Sequence, residues 1–244
     1  MRQIAHITDI HLEEPFPIEH GVDARRNWSL ILEDITSKNI NEIIFGGDIG
    51  KKESNQWFFD SLRDFKVHAI LGNHDFFREV IKYYESDSSG QDEELFYSHE
   101  DSFIKYIFLD SSSGELSQGQ FNWLKNEVKT DKKILLLIHH PVLEVETPMD
   151  QLYPLKRRKE VKALLHASKQ EVLVMCGHYH TVDERSERNI RQLLTPAGSY
   201  QIRKNANAIE VINDMFGYRI INIHNDEIKT SLRLYEDGRF VSEE

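Results

Sequence analysis

Three short apolar runs, residues 4–7, 41–45 and 67–71, alternate with two longer stretches whose apolar residues recur at helical spacing. In residues 28–38 the stripe carries Leu30, Ile31 and Ile35; in residues 55–65 it carries Trp57, Phe58 and Leu62. Strand, helix, strand, helix, strand is an order that favours a parallel sheet with helical crossovers. Sheets of that kind collect functional groups at the carboxyl ends of their strands. The predicted class is therefore α/β, with any site to be sought where the apolar runs stop.

Each run stops in residues that bind metals or protons. The first leads into Asp9-Ile10-His11, the second into Gly46-Gly47-Asp48, the third into Gly72-Asn73-His74-Asp75. Two further runs, 134–138 and 171–175, lead into His139-His140-Pro141 and Cys176-Gly177-His178-Tyr179-His180. The first of these is continuously apolar, the mark of a strand covered on both faces. On an extended backbone, residues two apart project to the same side, which would pair Asp9 with His11 and His178 with His180.

Between these landmarks, residues 96–98 and 104–109 read as strands. Residues 117–129 read as a helix with Ser117 as N-cap, and a further helix spans residues 158–166. Residues 12–27, 86–94 and 142–154 read as loops. The alternating stretches 190–194, 209–212, 218–223 and 229–234 read as antiparallel strands closing a second sheet. The polar tail, 236–244, is expected to fray.

No Pro/Gly/Ser-rich linker and no repeat divides the 244 residues, so one domain over 1–244 is expected. Lys plus Arg number 30 against 41 Asp plus Glu, a formal charge of −11 that argues against a long nucleic-acid partner. A small phosphorylated substrate remains compatible, because metal ions can supply local positive charge. The one cysteine, Cys176, permits no internal disulfide and suits a reducing compartment. The N-terminus lacks a signal-peptide pattern and no apolar run reaches membrane-spanning length. A cytoplasmic protein without a membrane partner is the expectation.

Asp9, His11, Asp48, Asn73, His139, His178 and His180 form a set of carboxylates, carboxamide and imidazoles that needs no thiolate. Such donors suit Mn, Fe, Zn or Co. Seven are too many for one four-coordinate ion but fit two ions sharing a carboxylate, for which Asp48 is the natural bridge. Two ions held roughly 3.5–4 Å apart can generate a hydroxide nucleophile and stabilise an in-line phosphoryl displacement. Each motif alone has a bland reading as satisfied structural residues. Collectively that reading is poor, because buried Asp and His need partners. Off the motifs, His6, His68, His99, His166 and His224 read as structural or surface residues, and Tyr179 and Cys176 as core. Arg25 and Arg26 read as a solvated helix start, with a phosphate contact as the alternative. His140 is equally readable as a packing residue or as a group beside the site.

In this order the five motifs resemble the calcineurin-like metallophosphoesterases. The pieces are Asp9-Ile10-His11, Gly47-Asp48, Gly72-Asn73-His74-Asp75, His139 and Gly177-His178-Tyr179-His180, spanning residues 4 to about 200. The resemblance implies a four-layer αββα sandwich of two mixed sheets flanked by helices, with a dinuclear site at the strand C-terminal edge. It implies one ion on Asp9, His11, Asp48 and His180, and another on Asp48, Asn73, His139 and His178. His74 would contact the phosphate and assist the leaving group, Asp75 would orient His74, and a bridging water or hydroxide would attack phosphorus. His139-His140-Pro141, Met149-Asp150 and the Asp110-Ser111 strand exit are similar to the class III cyclic-nucleotide phosphodiesterase branch. That branch implies small phosphodiester substrates of the cyclic-nucleotide or glycerophosphodiester type. Alternatives on the same fold are a phosphomonoesterase, a nuclease and a non-catalytic scaffold. Related enzymes are often dimers, and the strands after residue 190 would offer an edge for a homodimer.

Overall fold

The computed structural model describes residues 2–85, 93–206 and 208–243. Its first third follows the predicted alternation. Strand β1 (Arg2–Ile7) leads through a short helix α1 (Pro15–Glu19) to α2 (Ala24–Ser37), β2 (Glu42–Phe45), α3 (Asn55–Ser61) and β3 (Lys66–Ala69). After α4 (Phe77–Val80) come β4 (Tyr97–Glu100), β5 (Ile104–Phe108), α5 (Gln118–Glu127) and β6 (Lys133–Leu137). Then follow α6 (Pro148–Leu152), α7 (Arg158–His166), β7 (Val172–Cys176), β8 (Asp183–Glu187) and β9 (Ile190–Leu194). A two-residue pair, β10 (Gln201–Ile202) with β11 (Val211–Ile212), precedes β12 (Phe216–His224), β13 (Glu227–Glu236) and β14 (Arg239–Glu243).

The long strands form two six-stranded mixed sheets, ordered β14-β13-β12-β1-β2-β3 and β4-β5-β6-β7-β9-β8. Strands β1, β2 and β3 run parallel, as do β5, β6, β7 and β9. The apolar runs explain the stacking. In β6 and β7, Leu135, Leu137, Leu173 and Met175 face the first sheet and join its core. Their alternates Ile134, Leu136, Val172 and Val174 pack with Phe121, Leu124, Val161 and Leu165 of α5 and α7. A strand buried on both faces has no polar alternation to show. On the opposite side, Trp28 of α2 and Phe58 of α3 lie with ring centroids 4.9 Å apart, and Phe58 sits 4.6 Å from Phe45 of β2. The result is the αββα sandwich that the family resemblance implies.

Ser117 caps α5 as predicted, its Oγ accepting from Gln120 N at 3.0 Å. The antiparallel strands are placed otherwise than predicted. Strand β9 runs parallel to β7 in the second sheet, while β12 and β13 extend the first sheet antiparallel to β1. Alternation identifies a half-buried strand but carries no information about its neighbour. The tail does not fray: β14 pairs with β13, and Phe240 packs on Tyr235 and Phe216 at ring distances of 5.2 and 5.9 Å. The segment 12–27 holds α1 and the start of α2, where Asp23 caps by accepting from Arg26 N at 2.9 Å. The segment 142–154 holds α6, capped by Thr147 accepting from Asp150 N at 3.0 Å. Of the predicted loop 86–94, residues 86–92 lie outside the described residues.

A charge cluster closes the end of the first sheet remote from the motifs. Glu42 accepts from Arg2 Nε at 2.7 Å and Lys66 Nζ at 3.1 Å, and His68 Nε2 lies 3.4 Å away. Burial works against the ionised carboxyl, but the Arg2 and Lys66 cations hold it well below the usual carboxylate range. A carboxyl depressed in the folded state stabilises above its unfolded value of about 4.3 and loses that contribution as pH falls through its folded value. Glu42→Gln is therefore expected to be less stable than the native chain at pH 7, with the gap closing below about pH 4. Urea midpoints between pH 7 and 3 check this; a constant gap would contradict it.

Candidate dinuclear metal site

All the motif residues lie at one edge of the sandwich, beyond the carboxyl ends of β1, β2, β3, β6 and β7. The backbone there is not extended. Asp9, His11, Asp48, His178 and His180 have φ of 57°, 52°, 62°, 70° and 48°. These are left-handed values, costing roughly 1–2 kcal/mol each for a residue with a Cβ. The pairs Asp9/His11 and His178/His180 therefore converge through paired left-handed kinks, which corrects the expectation of extended segments.

Interlocking loops hold the kinks. Asp9 N donates to Gly47 O at 2.9 Å, Ile10 N to Asp48 O at 2.9 Å, and Leu12 N to Ile49 O at 2.8 Å. His178 N donates to Asp9 Oδ2 at 3.1 Å, tying the β7 exit to the β1 exit. Gly72 permits the closest approach: a Cβ there would lie 2.1 Å from Asp48 Oδ1 and 2.6 Å from Asp48 N. Two residues on, His74 N donates to Asp48 Oδ1 at 2.8 Å.

The predicted ligands form two groups, Asp9/His11/His180 and Asp48/His139/His178, the ligand atoms of each group lying within 4.8 Å of one another, and His11, Glu14 and His74 form a third. Asp48 Oδ2 reaches the first two groups, lying 3.1 Å from His139 Nε2 and 3.6 Å from His11 Nε2. Asn73 is exposed, between Gly72, which packs on Asp48, and His74, which bonds it.

Hydrogen bonds to the outer nitrogens orient the imidazoles. His139 Nδ1 donates to Gly46 O at 2.8 Å, His180 Nδ1 to Tyr200 O at 3.1 Å, and His178 Nε2 to Tyr153 O at 3.1 Å. A carbonyl can only accept, so each inner nitrogen of the neutral ring presents a lone pair to the centre. His139 Nε2 is buried without a hydrogen-bond partner. His11 Nε2 and His180 Nε2 face each other at 3.0 Å. Lone pairs aimed at one another and at carboxylates are unfavourable unless positive charge sits among them. Burial alone would lower the pKa of His139, yet Asp48 and Asp9 push it up to about 10. His178, buried beside His139, is pushed down to about 3 and stays neutral. The residues thus fit bound cations: the donor set is of the right type, its outer nitrogens are anchored, and its inner imidazole nitrogens face one another and the carboxylates.

The expected orientation of His74 by Asp75 is not found. Both Asp75 oxygens accept backbone N–H groups, Oδ2 from Asp48 at 2.7 Å and Gly72 at 2.9 Å, and Oδ1 from Ile49 at 3.0 Å. Asp75 clamps the β2 and β3 exits together. Burial, reinforced by Asp48, pushes its carboxyl up to about 7. The carboxylate on His74 is instead Glu14, with Oε1 2.9 Å from His74 Nδ1. Glu14 left no sequence signal, being one of four acidic residues in a stretch, 12–27, that reads as loop. His140 belongs beside the site: it is buried, its Nδ1 lies 2.9 Å from Ser111 Oγ, and its ring is 4.1 Å from that of His178. His6 is structural, bonding Thr195 Oγ1 through Nδ1 at 2.6 Å. Tyr179 is buried and donates to Asp150 Oδ1 at 2.5 Å. Arg25 bonds Glu13 at the surface and covers Trp57 at 4.2 Å.

Residues 2–182 match the model of a family described as calcineurin-like phosphoesterase. The chain belongs to that family. It is a metal-dependent phosphoester hydrolase, and its curated relatives are those of the cyclic-nucleotide phosphodiesterase-like branch. It is 27% identical over 210 residues to a probable cyclic nucleotide phosphodiesterase of Fibrobacter succinogenes, covering 83% of this chain and 82% of that protein. It is 24% identical over 257 residues to the 3',5'-cyclic adenosine monophosphate phosphodiesterase CpdA of Escherichia coli K12, covering 98% and 91%. A probable glycerophosphodiester phosphodiesterase GpdQ of Arcobacter nitrofigilis is 29% identical over 227 residues, covering 84% and 83%. Among solved structures, a dimetal phosphatase from Danio rerio shares the fold at a TM-score of 0.67 and 11% identity, covering 99% of this chain and 98% of that one. Among the described residues of this calcineurin-like phosphoesterase, no helix is long and apolar enough to cross a membrane.

Proposed function

We propose that this phosphoesterase is a dinuclear phosphodiesterase of small substrates, of the cyclic-nucleotide or glycerophosphodiester type. The observation that carries the reading is Asp48, one carboxylate within 3.6 Å of an imidazole from each ligand group. Asp9, His11, Asp48 and His180 would hold one ion, and Asp48, Asn73, His139 and His178 the other. The donor chemistry suits Mn, Fe or Zn. When bound, such a pair supplies an acidified water and neutralises charge on the phosphoryl oxygens.

The chain's own groups do the rest. His74 is the accessible imidazole of the site, with a side chain 43% exposed, and its ring meets His11 edge-on at 4.7 Å. With Nδ1 on Glu14, its Nε2 is left to donate a proton toward a phosphate oxygen or the leaving alkoxide. Asp75 keeps the two loops at a fixed separation, so that His74 and Asp48 stay in register. The formal charge of −11 supports small diesters over long polynucleotides. On this reading the enzyme works in the cytoplasm, where Cys176 stays reduced.

The test is hydrolysis of bis(p-nitrophenyl) phosphate by chelator-stripped protein titrated with Mn, Zn, Fe and Co, alongside p-nitrophenyl phosphate. Turnover of the diester saturating near two ions per chain is the expected outcome. A clear preference for the monoester would replace the reading with a phosphomonoesterase. No turnover despite two bound ions would leave a binding module on this fold.

A further inference from the structure

Glu14 is the carboxylate of this site that no motif contains. Its Oε2 lies 3.0 Å from His11 Nδ1 and its Oε1 2.9 Å from His74 Nδ1. One side chain, 14% exposed, thus spans an imidazole of the first ligand group and the imidazole left facing the substrate space. The two rings it joins are themselves in edge contact at 4.7 Å.

The local backbone makes this bridge rigid. Glu14 precedes Pro15, which disfavours helical backbone at position 14, and its φ of −73° and ψ of 145° are extended. It occupies the N-cap position of α1 but makes no capping bond, so its carboxylate is not consumed by the helix. A second proline, Pro17, stiffens the same turn and is buried. Upstream, Lys51 N donates to Leu12 O at 2.9 Å, fixing the loop to the β2 exit that carries Asp48. A bridging group on a rigid support holds its partners more closely than one on a free loop.

We propose that Glu14 is the positioning residue of the phosphodiesterase site, locking the orientation of His74 to that of His11. The inference rests on the function proposed above, since it presumes that His74 faces the substrate. A carboxylate has an acceptor oxygen for each Nδ1–H. Glutamine at position 14 has one acceptor and one donor, so it can serve only one of the two rings. Because His11 is also held by its place in the ligand group, His74 is the ring that is released.

Four proteins test this: the native chain, Glu14→Gln, His74→Ala and the double variant, each loaded with Mn or Zn. Glu14→Gln is expected to keep two ions per chain by elemental analysis. It is expected to lower kcat for bis(p-nitrophenyl) phosphate on the order of 10–100-fold, with KM nearly unchanged. In the His74→Ala background the same substitution should cost nothing further, because Glu14 acts through His74. Nitrogen NMR of histidine-labelled Zn protein supplies a readout independent of turnover. The Nδ1–H proton of His74, hydrogen-bonded to Glu14 in the native chain, should be resolved there and lost to exchange with water in Glu14→Gln, while that of His11 is kept.

Loss of an ion in Glu14→Gln would overturn the proposal, making Glu14 part of the metal-holding set. An undiminished effect of Glu14→Gln in the His74→Ala background would overturn it as well, as would a His74 Nδ1–H signal unchanged in Glu14→Gln. If the native chain turns over no phosphoester while the loss of the His74 Nδ1–H signal is seen, the functional reading fails and the bridge stands.

Discussion

Asp48→Asn is expected to leave this phosphoesterase without measurable turnover, a loss well beyond the 10–100-fold typical of outer-shell partners. The substitution keeps size and shape and removes one charge. Asp48 Oδ1 accepts from His74 N at 2.8 Å, so that oxygen's role can survive in the amide. What cannot survive is Oδ2, which lies between His139 Nε2 and His11 Nε2 at 3.1 and 3.6 Å. An amide nitrogen there is a donor without negative charge, and it cannot bridge two cations. The variant should bind fewer than two ions per chain.

Stability separates this outcome from misfolding. An ion that binds only the folded chain adds about 2.7 kcal/mol at a hundredfold excess over Kd. For a chain of this size that corresponds to a rise of roughly 5–10 °C in Tm. Native protein should show such a rise on titration with Mn or Zn. Asp48→Asn should lose much of it while its metal-free Tm stays close to native. A native-sized metal shift in Asp48→Asn would show that the bridge lies elsewhere.

The legibility of this molecule divides along physical lines. Burial on both faces leaves an unbroken apolar run, so residues 134–138 announce β6 and its carboxyl end announces His139. The same logic locates Asp9, Asp48, Asn73 and His178 at strand exits, and family resemblance orders them into a site. Partner choice is not written locally. The stretches of β12 and β13 read as alternating, yet β12 is buried along most of its length and nothing in Tyr218 or Leu232 says which sheet they join. Polar edge strands are hidden too: β8 reads Asp-Glu-Arg-Ser-Glu and has no apolar face to display. Backbone sign is a third blind spot. Left-handed φ at Asp9, His11 and His178 is imposed by hydrogen bonds from other loops, and spacing in sequence cannot reveal it. Glu14 and Asp75 follow from that geometry. Asp75, in the motif, turned to backbone amides, while Glu14, outside it, took up His74.

Gly72→Ala puts the largest strain on the site with the smallest change in chemistry. The added methyl would lie 2.1 Å from Asp48 Oδ1, 2.6 Å from its Cγ and 2.6 Å from its backbone nitrogen. Contacts under 3 Å with a backbone atom do not relax by rotating a side chain, so the β2 and β3 exits must separate. Those exits are held together by Asp75, which accepts from Asp48 N and Gly72 N at 2.7 and 2.9 Å. Moving them apart by a few tenths of an ångström weakens both bonds and shifts Asp48 out of register with His139. Overpacking of this kind costs about 1–3 kcal/mol. The chemical effect is larger, since a misplacement of about 1 Å can cost 100-fold in rate. The expected result is a folded protein with a lower urea midpoint, weakened metal binding and activity reduced at least tenfold. Gly119→Ala in α5 is the control. Its nearest atom is Ser117 Oγ at 3.7 Å, an ordinary contact, and alanine is the better helix former by up to about 1 kcal/mol. That variant should be as active as the native chain and at least as stable. If Gly72→Ala behaves like Gly119→Ala, the close approach of the two loops does not set the position of Asp48, and the bridging geometry must be held from the β1 side alone.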